Sequence, residues 1–234
     1  MNGRSLPLGN AKVAFQSALT RLGPLCSPRV IFALNRAVDY LEIGRWMRSR
    51  GFDVAHRVAS RTALFELAAS EVTDRRVLYM EFGVSNGASL RYWTTLLPRR
   101  DSIFHGFDSF EGLPEAWNTL NPKGQFSTGG ELPLIGDDRV RLFKGWFEDT
   151  LPEYEWPAHD QLIVNIDADL YSSTQYVLNF VAPKLTKGSF LYFDELMDRD
   201  HELRAFSEFL DSSHMSFVVR GATRTLTHVL FERV

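Results

Sequence analysis

Five acids stand where an apolar run gives way to small or polar residues: Glu81 in LYMEFG, Asp108 in HGFDS, Asp167 in NIDADL, and Asp194 with Glu195 in YFDEL. Around the first of them the chain reads EFGVSNGASL, an apolar run closing on an acid, then Gly83 and Gly87, then small residues able to open a helix. Strand, glycine turn, helix, strand and a second acid is the layout of a nucleotide-type site in a doubly wound sheet. Glycine lets the backbone approach a ligand, and the acid accepts hydrogen bonds from ribose hydroxyls. A Gly-x-x-x-Gly turn also serves plain packing, so the inference rests on its pairing with Asp108 at the next strand end.

The remaining acids suggest the chemistry. Parallel neighbouring strands would bring Asp167, Asp194 and Glu195 to one carboxyl edge, where open sheets bind ligands. Three carboxylates there repel one another unless a cation or a proton offsets the charge. A hard divalent cation with oxygen ligands, Mg²⁺ before others, is the simplest remedy. Taken singly, each acid could equally cap a helix. No histidine pair has metal-ligand spacing, and His105, His159 and His228 read as packed or surface residues.

To position such a site the chain needs a sheet, and from Arg76 onward it alternates as a parallel sheet requires. Strands are expected at 77–82, 103–107, 140–143, 162–166 and 189–193, with helices at 88–97, 174–185 and 202–210 between them. Two further strands, 217–219 and 226–231, are joined through Gly221 by a connection short enough only for an antiparallel hairpin. The fold expected is α/β, a Rossmann-like sheet of five parallel strands plus a C-terminal antiparallel hairpin. Before it, helical patterns over about 13–22, 28–50 and 61–72 form an N-terminal cap, so the domains read as 1–75 and 76–234. The stretch 109–139 exceeds an ordinary connection and carries Trp117 and Phe126. It is either a lid over the acceptor or a loop that packs Trp117.

Four blocks, EFGVSNGASL, GFDSFEGLPE from Gly106, GWFEDTLP from Gly145 and IDADLYSST from Ile166, closely resemble the macrocin O-methyltransferase family, over roughly residues 75–200 and in the family's order. That family includes enzymes that methylate sugar hydroxyls on macrolide and aminocoumarin antibiotics. The resemblance implies S-adenosylmethionine as cofactor, lined by Glu81, Gly83, Gly87, Ser89, Asp108, Ser109 and Phe110, with the turn Gly145, Trp146 and Phe147 against the adenine. It places Asp167, Asp194 and Glu195 at the positions of Mg²⁺ ligands, and makes Asp167 the base as well. This chain has Asp194-Glu195 where the antibiotic-modifying relatives usually carry paired aspartates. A catechol- or phenol-type acceptor remains open beside a sugar.

Composition narrows the partners. The 234 residues carry a net charge of −3, which gives no electrostatic reason to expect nucleic acid. No apolar run reaches the length of a membrane span, and a cytoplasmic location is expected. Residues 1–38 contain Arg4, Lys12, Arg21, Arg29 and Arg36 but no acid, a bias shared by transit peptides and by amphipathic helices. The surplus of apolar helix before the sheet predicts a homodimer. Two other readings stay open: an NAD-type oxidoreductase on the same fold, although Gly-x-Gly-x-x-Gly is lacking, and a non-catalytic cofactor-binding module.

Overall fold

The computed structural model describes residues 8–234; Arg4, in the basic acid-free stretch, lies outside them. The chain forms two compact units divided between Ala37 and Val38. The first holds helix α1 (Leu8–Leu22), a 3-10 turn at Gly23–Leu25 and the start of α2 (Pro28–Ser49). The Gly23-Pro24 pair breaks the helix as expected, because proline lacks the amide hydrogen that a continuing helix needs. Ser27 Oγ then accepts from Val30 N at 3.4 Å and opens α2. Whereas the sequence suggests a domain boundary near residue 75, the compact units separate earlier. Ile43 and Met47 of α2 are buried in the larger unit's core, as are Leu64 and Phe65 of α3 (Arg61–Ser70).

The larger unit is built on one eight-stranded sheet. Its strands are β1 (Arg57–Val58), β2 (Val77–Phe82), β3 (Ile103–Asp108), β4 (Val140–Lys144), β5 (Gln161–Ile166), β6 (Phe190–Phe193), β7 (Phe217–Thr223) and β8 (Val229–Arg233). They lie in the order β1-β7-β8-β6-β5-β2-β3-β4. The five strands β2 to β6 pair in parallel, and β8 runs antiparallel to both β6 and β7. Every residue of β2, β5 and β6 is buried, the pattern of parallel strands covered on both faces. α3 and α4 (Ala88–Leu96) cover one face through Phe65, Leu90 and Trp93. The single turn α5 (Phe147–Thr150), α6 (Tyr171–Val181) and α7 (Glu202–Ser213) lie on the other, through Phe147, Val177, Leu178 and Phe206. Each fully buried large side chain among them contributes about 1.5–3 kcal/mol.

Two details differ from the sequence reading. Gly221 is not in the hairpin connection but inside β7, beside a register shift, and the turn falls at 224–228. A Cβ on Gly221 would lie 2.9 Å from side-chain atoms of Leu64 and Leu67, so its glycine lets α3 pack close on the sheet. The short strand β1, parallel to β7, was not foreseen: two residues carry no readable alternation. Among the described residues no helix is long and apolar enough to cross a membrane.

Candidate functional site

The register of the sheet aligns the acids. Phe82 pairs with Phe107 on one side and Ile166 on the other, and Ile166 pairs with Phe193. The ladder continues one step further: Gly83 N donates to Phe107 O at 3.0 Å, Asp167 N to Phe82 O at 2.9 Å and Asp194 N to Ile166 O at 3.0 Å. Asp108, Gly83, Asp167 and Asp194 therefore stand abreast at four consecutive strand ends. They open onto a cavity of about 800 Å³, a size suited to small-molecule ligands.

Gly83 is fixed in type by its surroundings. Its φ is +94°, and a Cβ would stand 1.8 Å from the carbonyl oxygen of Asp167. Any side chain would push the glycine loop off the neighbouring strand end. Asp108 holds the other side of that loop. Its Oδ2 accepts from Val84 N at 2.8 Å and Ser85 N at 2.7 Å, and its Oδ1 from Phe110 N at 2.7 Å. The acid expected to take ribose hydroxyls thus also clamps two turns of backbone.

Six of the ten residues expected at the cofactor line the cavity: Gly83, Asp108, Ser109, Gly145, Trp146 and Phe147. The other four do not. Ser89 and Phe110 are buried beside it, and Gly87 turns the chain into α4 at φ +73°. Glu81 lies beneath the edge, accepting from the Tyr79 hydroxyl at 2.5 Å. Desolvation pushes the Glu81 carboxyl up to about 8, against the pull of hydrogen bonds from Tyr79 and Asn165. Near neutrality it is mostly protonated, which removes one negative charge from under the site. Phe82, Phe107 and Phe143 stack in a row with centroids 5.0 and 4.6 Å apart, and Phe147 meets Phe82 edge-on at 5.6 Å. Such pairs add about 0.5–1.5 kcal/mol each and hold the Gly145-Trp146-Phe147 turn against the sheet.

The three acids read as metal ligands, Asp167, Asp194 and Glu195, all line the cavity. Their oxygens suit a hard cation, but their present spacing does not: among the described residues no three His, Cys, Asp or Glu side chains are gathered closely enough to hold a metal ion. Asp194 is already engaged through Oδ1. Tyr192 donates its hydroxyl to it at 2.7 Å, Arg61 Nη1 lies at 3.4 Å and His228 Nδ1 at 3.3 Å. Burial drives Asp194 upward, yet His228, Arg61 and Tyr192 together outweigh it and hold the carboxyl below the ordinary range. Asp167 goes the other way. Desolvation, then the charges of Asp194, Asp169 and Glu81, raise it well above that range, with Arg61 opposing. One carboxylate held ionised beside another made basic is how a site separates a fixed charge from a proton acceptor.

Sequence reasoning missed Asp169 and Glu202. Asp169 lines the same cavity with φ +57°, as does Phe126 of the 109–139 stretch with φ +67°, two of the non-glycine residues in the left-handed region. Such conformations cost of order 1–3 kcal/mol and gather at functional sites. Glu202, fully buried at the start of α7, accepts from Glu195 N at 3.0 Å and so fixes the DEL turn. Trp117 is buried against Leu113 and Leu170, as the packing reading of the 109–139 stretch expects, donates to Asp198 at 3.0 Å and also lines the cavity. The base of that stretch is tied by Leu113 N to Gln125 O at 3.0 Å and Gly124 N to Leu113 O at 2.9 Å. Of the histidines, His105 is buried and bonded to the Tyr154 hydroxyl at 2.6 Å, and His201 Nδ1 accepts from Tyr171 N at 3.1 Å.

Known proteins match this arrangement in part. Residues 131–220 match the model of the macrocin-O-methyltransferase family, a span that includes GWFEDTLP and IDADLYSST and follows the two glycine blocks. A tetracenomycin rhamnosyl 4'-O-methyltransferase from Streptomyces olivaceus is 32% identical over 105 residues, 38% of this chain and 40% of that enzyme. The mycinamicin III 3''-O-methyltransferase of Micromonospora griseorubida is 28% identical over 138 residues, 50% and 54% of the two chains. The chain thus spans about half the length, or less, of these relatives. In fold, the O-methyltransferase NovP superposes with a TM-score of 0.61 at 22% identity, over 74% of this chain and 79% of that one. The resemblance read from the sequence is borne out: on an O-methyltransferase fold, residues 131–220 carry the sequence of the macrocin-O-methyltransferase family.

Proposed function

We propose that this protein is an S-adenosylmethionine-dependent O-methyltransferase acting on a hydroxyl of a small molecule, a sugar or other natural product. The observation that carries the reading is the row Asp108, Gly83, Asp167, Asp194 at one edge of a cavity, in a chain whose relatives methylate sugar hydroxyls. When bound, S-adenosylmethionine supplies a methyl group already activated on a positively charged sulfur. Gly83 and the loop clamped by Asp108 give it close backbone approach, Trp146 and Phe147 offer an apolar wall for the adenine, and the acidic edge suits its charge. The residues of 112–126 that line the cavity exclude water and hold the acceptor in line with the methyl carbon, which supplies much of the acceleration. Asp167 accepts the hydroxyl proton as the acceptor oxygen forms its bond to carbon and the carbon–sulfur pair leaves with sulfur.

Magnesium assistance belongs to this reading in a limited form. Asp167, Glu195 and the Oδ2 of Asp194 have the oxygen chemistry to hold the ion only if they draw closer than they stand, and a bound ion would lower the pKa of a coordinated hydroxyl. The proton acceptor is the same carboxylate with or without it.

Thermal-shift measurements with S-adenosylhomocysteine and with NAD decide between the methyltransferase and the oxidoreductase. Stabilisation by the first alone is expected; stabilisation by NAD alone would overturn the proposal. Methyl transfer from labelled cofactor to a panel of glycosides and catechols then separates an enzyme from a mere binding module.

Homodimerisation is part of the same proposal. Phe15, Leu19 and Leu22 of α1 and Ile31 and Leu34 of α2 are exposed, more apolar surface than a helical pair normally leaves to water. Multi-angle light scattering is expected to give twice the 26.7 kDa chain mass. A monomer at micromolar concentration would remove this element.

A further inference from the structure

Arg61 lies far in sequence from the acids and is absent from every motif, yet it pairs with Asp194 at the edge of the cavity. Its guanidinium lies 3.4 Å from Oδ1 of Asp194, and its charge also acts on Glu81 and Asp167. Its position follows from packing. Arg61 is the first residue of α3, whose opening turn is capped by Ser60 Oγ accepting from Ala63 N at 3.3 Å. One turn on, Phe65 packs edge-on against Tyr192 with centroids 4.9 Å apart, and Tyr192 is itself bonded to Asp194. Glycine at 221 allows α3 to sit that close to the sheet. The same contacts that dock the helix therefore set the guanidinium over Oδ1 of Asp194 at 3.4 Å, and the positive end of the helix dipole with it. His228, stacked on Tyr192 with ring planes 12° apart, closes the other side.

We propose that Arg61 is a positioning residue that fixes Asp194 through Oδ1 and competes with a divalent cation for the acidic edge of the cavity. Arg61 sets a positive charge against Oδ1 of Asp194 from within the chain, at 3.4 Å. The consequence runs against an incoming ion: a like charge beside Asp194 lowers the affinity of the edge for a divalent cation, since repulsion at such range is weakly screened in a partly buried site. The chain's Glu195, one methylene longer than aspartate, and the wide present spacing of the acids point in the same direction. Metal occupancy is then set by Arg61 rather than by the carboxylates alone. This inference shares the cavity with the proposed methyl transfer but needs neither cofactor nor acceptor for its test.

The measurement is Mn²⁺ binding, followed by loss of the free-ion electron paramagnetic resonance signal, on wild type, Arg61→Gln and Arg61→Lys. Thermal melts check that each variant is folded. Arg61 is half-buried at a helix start, so both substitutions leave the core intact. Arg61→Gln is expected to bind one Mn²⁺ at least about tenfold more tightly than wild type, while Arg61→Lys, which keeps the charge, stays within about threefold. A role in folding alone would weaken binding or leave it unchanged. Equal or weaker binding by folded Arg61→Gln overturns the proposal, as does equal tightening in both variants or no binding by either at millimolar Mn²⁺. None of these results bears on whether S-adenosylhomocysteine binds, so the proposed methyl transfer stands or falls separately.

Discussion

Asp167→Asn is expected to lower the rate of methyl transfer by two to four orders of magnitude, the range that general-base catalysis contributes. Asparagine keeps the size and planar shape of the side chain but cannot take the acceptor's proton. Folding should not suffer. Desolvation and neighbouring acids raise Asp167 well above the ordinary carboxylate range in the native state. A group whose folded pKa exceeds its unfolded value withdraws stability as pH rises from the unfolded value toward the folded one. Asparagine has no such proton to lose. The variant should therefore melt at or above the wild-type temperature near neutral pH, and its advantage should shrink below about pH 4, where the unfolded aspartate is protonated too. Single-turnover kinetics and melting curves across pH measure the two halves independently. Full activity would remove Asp167 as the base, and attention would pass to Asp169 on the same cavity wall. A lower melting temperature at neutral pH would show that the carboxylate is paired more favourably than its burial beside Asp194 and Asp169 implies.

How much of this was readable beforehand depends on the range of the interaction. The parallel strands were legible because most of their residues are apolar and each runs into an acid or a glycine, and the shared edge of Asp108, Asp167 and Asp194 followed from parallel pairing. The charge balance was not. Arg61 meets Asp194 across 133 positions of sequence, and its place is set by how Phe65 packs on Tyr192, which no local pattern encodes. The metal reading treated the three acids as one set, because strand ends converge in the abstract. In the folded chain the Oδ1 of Asp194 is drawn to Tyr192, Arg61 and His228, while the DEL turn is fixed by Glu202. Glu81 looked like a ligand contact because it ends a strand in a cofactor motif. It is in fact one residue short of the edge: Phe82 completes the strand, and the side chain of Glu81 points into the Tyr79 and Asn165 pair beneath. The opposite error concerns Gly221, where glycine in a polar stretch suggested a turn, although it marks a close approach between helix and sheet.

Asp108→Ala is expected to damage both stability and cofactor binding, because one carboxylate serves both. Three backbone N–H groups, from Val84, Ser85 and Phe110, lose a charged acceptor. Bonds of that kind contribute about 1.5–3 kcal/mol each, but the edge is partly open and water can replace some of them, so a total near 3 kcal/mol is expected. For a chain of this length that corresponds to a fall of roughly 6–12 °C in melting temperature. Binding of S-adenosylhomocysteine should weaken about a hundredfold, since the loop carrying Gly83 must be ordered again before the ligand can approach it. Asp108→Asn separates the two roles. Its amide oxygen can still accept from Val84 and Ser85, whereas its nitrogen cannot accept from Phe110. Binding of an S-adenosylhomocysteine analogue lacking the ribose hydroxyls completes the test. If Asp108 acts on the ribose directly, the penalty for the missing hydroxyls shrinks in Asp108→Asn, whose neutral amide bonds a hydroxyl more weakly than a carboxylate does. If it acts through the loop, the penalty persists while both ligands weaken together. The three short bonds to backbone favour the second outcome, and calorimetry on the four combinations of protein and ligand measures the difference as a single coupling energy. An Asp108→Ala variant with unchanged melting temperature and poor binding would leave the ribose as its partner and remove the clamp.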